Sequence, residues 1–196
     1  MKKNFFKYDS VWKGYVLFEG AQTSNFSLQN LYHALSYGIC DKNLTSMQFE
    51  YLQLMRHEEK IYVWDSDEMK PMADVKFTEE YFNAYSEYSD KRWDDMPKLE
   101  LTLKNYEEII DKWEVIKNTK PTYIIFSQDD TGYVDLVGKN ELSQQDIVDM
   151  KLEHEKYLKY DEAFKKYASE NPNRSEVWRS PEDSEFEADW QKYLED

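Results

Sequence analysis

"TYIIFSQDDTGYVDLVG", residues 122–138, is the stretch on which the fold turns. Two runs rich in Ile, Phe, Tyr and Val flank the polar connection Gln128-Asp129-Asp130-Thr131, which ends at Gly132. Strand formers on both sides of turn formers make a β-hairpin. The stretch also contains Asp130-Thr131-Gly132, the tripeptide that carries the catalytic aspartate of aspartic proteases. In those enzymes two such loops meet so that two carboxylates share a proton. This chain has one, placed where Asp, Thr and Gly are favoured by the backbone geometry of a turn. The turn reading wins.

Outward from the hairpin, further extended runs occur at 15–20 (YVLFEG), 60–64 (KIYVW) and 98–102 (KLELT). Helix starts are legible between them. Thr45 stands as N-cap with Gln48 at the capping-box position and Leu44 against Phe49 as a staple. Ser143 repeats the device with Asp146, Leu142 and Ile147. Thr78 and Thr102 carry similar flanks, and Ser180-Pro181-Glu182-Asp183 places cap, proline and first-turn acids in order. A sixth helix is expected over 28–39, where Leu28, Leu31, Tyr32, Leu35 and Ile39 keep helical spacing. The fold expected is α+β: a modest, largely antiparallel sheet with about six helices packed on it.

Length bounds the organisation. The chain has 196 residues, enough for one domain with a sizeable core. Residues 1–196 read as a single α+β domain, with a sub-domain boundary near 94–98 (DDMPK) as the alternative. The segment 170–196 reads as a mobile connection that ends in a short helix. The lone Cys40 excludes internal disulfides and suits a reducing cytoplasm. The start, MKKNFFKYDS, reaches Lys7 and Asp9 before an apolar run develops, so it lacks the pattern of a signal peptide.

The chain holds 40 acidic and 25 basic residues, net −15. Such a field repels nucleic acid and anionic membranes and attracts basic partners. Motifs for chemistry are sparse. The histidines His33, His57 and His154 form no His-Glu-x-x-His or Glu-x-x-His pair. "DSDEMKPMADVK" (65–76) opens like a calcium loop, but Lys70 and Lys76 occupy the positions that need Gly and a bidentate Glu. With five glycines in the chain, a phosphate-cradling loop is not expected either. On the helix after Ser143, His154 and Asp161 share a face with Ile147, Met150, Tyr157, Leu158, Phe164 and Ala168. Seven residues of helix part the pair by about 10.5 Å, so the expectation is a half-buried histidine bonded to a neighbour. Neither metal nor cofactor is expected.

What remains is a mixture of acids and aromatics. Residues 65–95 hold ten acids and four bases, together with Phe77, Tyr81, Phe82, Tyr85, Tyr88 and Trp93. Residues 176–196 hold eight acids and two bases, with Trp178, Phe186, Trp190 and Tyr193. Tyr and Trp anchors within a carboxylate ring suit a basic protein cleft.

The second half, "LTLKNYEEIIDKWEVIKNTKPTYIIFSQDDTGYVDLVGK" (101–139), resembles bacterial immunity proteins of contact-dependent and polymorphic toxin systems. The resemblance implies a small cytoplasmic α+β protein that covers a toxin's active site stoichiometrically. The expectation is therefore a non-enzymatic inhibitor of a basic, nuclease-type toxin. Its partner-binding residues are expected to be Asp65, Asp67, Glu68, Tyr85, Tyr88, Trp93, Asp94 and Asp95, with Asp129 and Asp130 at the hairpin tip. Two alternatives stand beside it: a phage-type DNA mimic acting against restriction or CRISPR machinery, and an enzyme whose site is assembled from scattered residues.

Overall fold

The computed structural model describes residues 1–17, 20–49, 52–65 and 98–170. The chain is α+β, with two antiparallel sheets of four strands each. The first sheet runs β2 (Gly14–Val16), β1 (Lys2–Asp9), β7 (Tyr123–Gln128), β8 (Val134–Lys139). The second is a meander of β3 (Ser46–Phe49), β4 (Leu52–His57), β5 (Lys60–Asp65) and β6 (Leu99–Thr102). Three helices occur among the described residues: α1 (Phe26–Ser36), α2 (Leu103–Thr119) and α3 (Gln144–Glu170).

Two expectations are corrected here. The expected modest sheet with about six helices is instead two four-stranded sheets with three helices among the described residues. The helix expected from Thr45 is strand β3, paired with β4 from Ser46↔Met55 to Phe49↔Leu52. The Thr45/Gln48 pattern satisfies a capping box by spacing, but the residues after it alternate as a strand does, and β4 offers a partner. Arg56 N–H completes the ladder onto the Thr45 carbonyl at 2.8 Å. The helices expected from Thr78 and Ser180 lie outside the described residues.

One cluster of buried side chains draws on both sheets. Phe6, Ile124, Phe126, Val134 and Leu136 come from the first sheet; Leu52, Leu54, Ile61, Val63, Leu99 and Leu101 from the second. Leu28, Leu31, Tyr32 and Leu35 of α1 and Tyr106, Ile109, Trp113 and Ile116 of α2 fill the space they share. Tyr32 organises the aromatic part, lying 4.1 Å from Phe6 and 6.2 Å from both Trp113 and Phe126 between ring centroids. Burial raises its phenol to about 12, so it stays a neutral donor to the Tyr15 carbonyl.

β8 is an edge strand, and its neighbours blunt it. Asn105 of α2 is buried, and its amide acts like a strand residue. Nδ2 donates to the Val134 carbonyl at 2.7 Å, while Oδ1 accepts from Val134 N–H at 2.8 Å. Asp135 Oδ1 accepts the next edge amide, Leu136 N–H, at 2.9 Å. Groups that would otherwise template another strand are thereby taken. Gly138 permits the close approach of Pro121, whose Cγ would lie 2.6 Å from any Cβ placed there.

The caps at Thr102 and Ser143 form as expected. Thr102 accepts from Asn105 N–H at 3.2 Å. Ser143 and Asp146 bond reciprocally, with Asp146 N–H donating to Ser143 Oγ at 3.2 Å and Ser143 N–H donating to Asp146 Oδ2 at 2.9 Å. The helix that follows presents a different face from the one expected. Asp146, Glu153, Tyr160, Ala163 and Tyr167 are buried, whereas Leu158 is 50% exposed. The polar residues are there because α3 crosses β1 and the loop before α1 through a polar seam. Lys3 pairs with Asp149, and Asn25 Nδ2 donates to Glu153 Oε2 at 2.8 Å. Phe5, Ala21 and Ile125, backed by Leu142 and Met150, supply the apolar part.

Candidate interaction surface

The β7–β8 tip is built around one carboxylate. Asp129 Oδ1 accepts from Thr131 N–H (2.8 Å), Thr131 Oγ1 (2.6 Å) and Tyr133 N–H (3.0 Å). The Thr131 hydroxyl and these amides hold its pKa below the usual carboxylate range. Gly132 completes the turn at φ +85°, a left-handed conformation that suits glycine. Asp130 has the opposite role. Its side chain is 96% exposed, and its neighbour is the Met1 ammonium at 3.3 Å. The Asp-Thr-Gly tripeptide is thus a turn at a hairpin tip, with Asp129 as organiser and Asp130 facing solvent.

More acids gather at this end of the molecule. Tyr133 donates to Glu108 Oε2 at 2.9 Å, which brings α2's first turns beside the tip. Leu103 N–H bonds the Glu59 carbonyl at 2.7 Å, which brings the β4–β5 turn, with Glu58 and Glu59, to the same end. Bases stand among them: Arg56 and Lys60 flank Glu58 and Glu59, and Lys104 Nζ lies 3.9 Å from Glu108. Of the other expected partner-binding residues, Asp65 closes β5 in register with Leu52. Asp67, Glu68, Tyr85, Tyr88, Trp93, Asp94 and Asp95 lie outside the described residues. The structure therefore brings Asp129 and Asp130 together and describes no contact between them and the others.

A second surface escaped the sequence reading. Between β1 and β2, Val11 is 82% exposed and Trp12 78%. Asp9 Oδ1 accepts from both of their N–H groups, at 2.7 and 3.1 Å, so the tip is a fixed turn. The signal was present in "DSVWKG" (9–14): Asp and Gly bracket a turn in which Val and Trp stand where polar residues are usual. Tryptophan is among the residue types enriched at the centres of protein interfaces.

The groups that could support catalysis are dispersed. His33 lies on α1, His57 on β4 and His154 on α3. Burial lowers the pKa of His33. His154 stacks on Tyr157 at 6.3 Å, and its Nδ1 has no hydrogen-bond partner, unlike the bonded histidine expected. Burial pushes the Cys40 thiol up to about 12 despite a hydrogen bond with Tyr106, which leaves it unreactive as a nucleophile. Among the described residues no group of three or more His, Cys, Asp or Glu is placed to hold a metal ion. Nor is any described helix long and apolar enough to cross a membrane. Compared with known protein families, characterised proteins and solved structures, the chain shows no significant match.

Proposed function

We propose that this chain is a non-enzymatic protein inhibitor, an immunity protein of the cytoplasm that binds and neutralises a basic, nuclease-type bacterial toxin. The observation that carries the reading is how the charge is distributed. Residues 1–65 hold seven acids and seven bases, so the whole excess of −15 falls on residues 66–196. That excess gives a negative field that attracts a basic partner.

The acids at the β7–β8 end illustrate the mechanism. Asp129 fixes the backbone, and Asp130 is held outward without strain, ready to pair with a toxin Lys or Arg. Glu58, Glu59 and Glu108 extend the negative surface around it. Carboxylates there take the place of the nucleic-acid phosphates that a nuclease's basic cleft is built to receive. The interleaved Tyr and Trp residues of 65–95 supply apolar burial in the same reading. The test is inhibition of a nuclease toxin captured by pull-down from the source organism. An equimolar amount of the protein is expected to abolish its nuclease activity. A toxin left fully active by a large excess would overturn the proposal.

A further inference from the structure

The edge strands of the two sheets are β2, β8, β3 and β6, and three of them carry a device against further pairing. On β8, Asn105 and Asp135 take the backbone groups of Val134 and Leu136. On β2, the Tyr15 carbonyl accepts from the Tyr32 hydroxyl. β6 carries the charged Glu100, ion-paired with Lys60. β3 is different. Its register with β4 runs from Ser46↔Met55 to Phe49↔Leu52, and Arg56 N–H bonds the Thr45 carbonyl at 2.8 Å. Bonded and non-bonded pairs alternate along an antiparallel ladder. Thr45, Met47 and Phe49 therefore bond β4, while the N–H and C=O groups of Ser46 and Gln48 point away from the sheet. These outward groups have no partner among the described residues. Thr45 and Met47 are exposed, so the edge is open. Residues 43–49, NLTSMQF, contain no charged residue, proline or glycine, although 33% of the chain is charged.

We propose that β3 pairs with β3 of a second copy, antiparallel about a twofold axis at Met47, so that the two meanders join into one continuous sheet. With Met47 opposite its own counterpart, Ser46 of each copy faces Gln48 of the other, and each such pair exchanges two N–H···O=C bonds. This register keeps every new bond within Ser46–Phe49. Centring on Ser46 would draw in Leu44, whose N–H already bonds the Asp41 carbonyl at 3.0 Å. Centring on Gln48 would draw in residue 50, beyond the end of β3. Met47 stands opposite Leu54 of the core and is 43% exposed. At the axis the two methionines form a non-bonded pair, with Cα atoms about 4.5 Å apart, and cover each other. The contact is isologous and closes at the dimer. The net charge of −15 opposes it, but the strands that meet are uncharged. Near physiological ionic strength the remaining repulsion is screened beyond about 8 Å. The seam is smaller than the interface of a permanent dimer, so association is weak and concentration-dependent. It stands whether or not a basic partner binds elsewhere.

Sedimentation velocity of the full chain tests this, over rising concentration at about 0.15 M salt. The wild type is expected to pass from monomer to dimer and no further. Met47→Lys and Met47→Glu each set like charges face to face at the axis, and circular dichroism checks that both variants fold. Each alone is expected to lower the association constant by about tenfold or more. Mixing the two is the sharper arm. A lysine of one copy then meets a glutamate of the other, so the mixture is expected to dimerise more strongly than either variant alone. Only a position that faces its own counterpart gives that result. Hydrogen exchange of the wild type supplies a second readout. The Ser46 and Gln48 amides are expected to exchange more slowly as concentration rises. A wild type that stays monomeric throughout overturns the proposal, as does assembly past the dimer or a Met47 variant that associates normally. A mixture no stronger than its components overturns it too, as do Ser46 and Gln48 amides indifferent to concentration.

Discussion

Replacing Asp146 by Asn removes the charge that locks the start of α3 to the first sheet. The carboxylate is buried and accepts from Lys139 Nζ (2.6 Å), Ser143 Oγ (2.6 Å) and Ser143 N–H (2.9 Å). Burial pushes its pKa up, but Lys139 and Ser143 outweigh burial and bring it from 3.8 to about 2. At 1.36 kcal/mol per pKa unit, that shift contributes about 2 kcal/mol to stability at neutral pH. Because the folded pKa lies below the unfolded one, the contribution is complete above the unfolded value. It disappears as pH falls from about 5 to about 2. Thermal unfolding of wild type and Asp146→Asn should therefore differ by about 4–8 °C at pH 7 for a chain of this size. The gap should close toward pH 2. Ser143→Ala, which removes the cap and one of the donors to Asp146, should cost about 1 kcal/mol or more, and Lys159→Ala on the exposed face should be silent. A gap of equal size at pH 7 and pH 2, or none at either, would refute this account of the α3 start.

Asn105→Ala strips both bonds from Val134, and urea unfolding should show a loss of about 2–4 kcal/mol. The opened β8 edge should also raise the aggregation rate, read by light scattering. Gly138→Ala drives a methyl into the Pro121 ring, so its denaturation midpoint should fall by the equivalent of about 1–3 kcal/mol. At the hairpin tip, Asp129→Ala should speed amide exchange at Thr131 and Tyr133, whereas Asp130→Asn should leave the fold and these amides unchanged. Peptidase activity abolished by Asp130→Asn would reverse the reading of the tripeptide as a turn.

Local signals were legible where they were self-contained. The β7–β8 hairpin and the caps at Thr102 and Ser143 need only neighbours in sequence, and all three formed. Features that depend on distant partners were not legible. β1 hid behind its lysines: Asn4 sits at a buried position because Asn4 Nδ2 reaches the Asn25 carbonyl at 3.0 Å, a bond no local pattern announces. The residues after Thr45 became a strand because β4 was there to pair with. The face of α3 was misjudged because a long helix on a polar seam buries Asp146 and Glu153, which hydrophobic periodicity discounts. At the candidate surface, the exposure of Asp129 and Asp130 followed from the turn, but their division of labour did not. Trp12 went unread although Asp9 and Gly14 bracket it as a turn, because an apolar pair beside a strand reads first as core.

The proposal that this protein captures a basic partner by charge is tested most directly by association kinetics against the partner that a pull-down recovers, at two salt concentrations. Exposed charges are screened beyond about 10 Å at 0.1 M salt and about 3 Å at 1 M. The account predicts an association rate that drops by at least about tenfold between those conditions, with dissociation changing far less. An association rate indifferent to salt would contradict it.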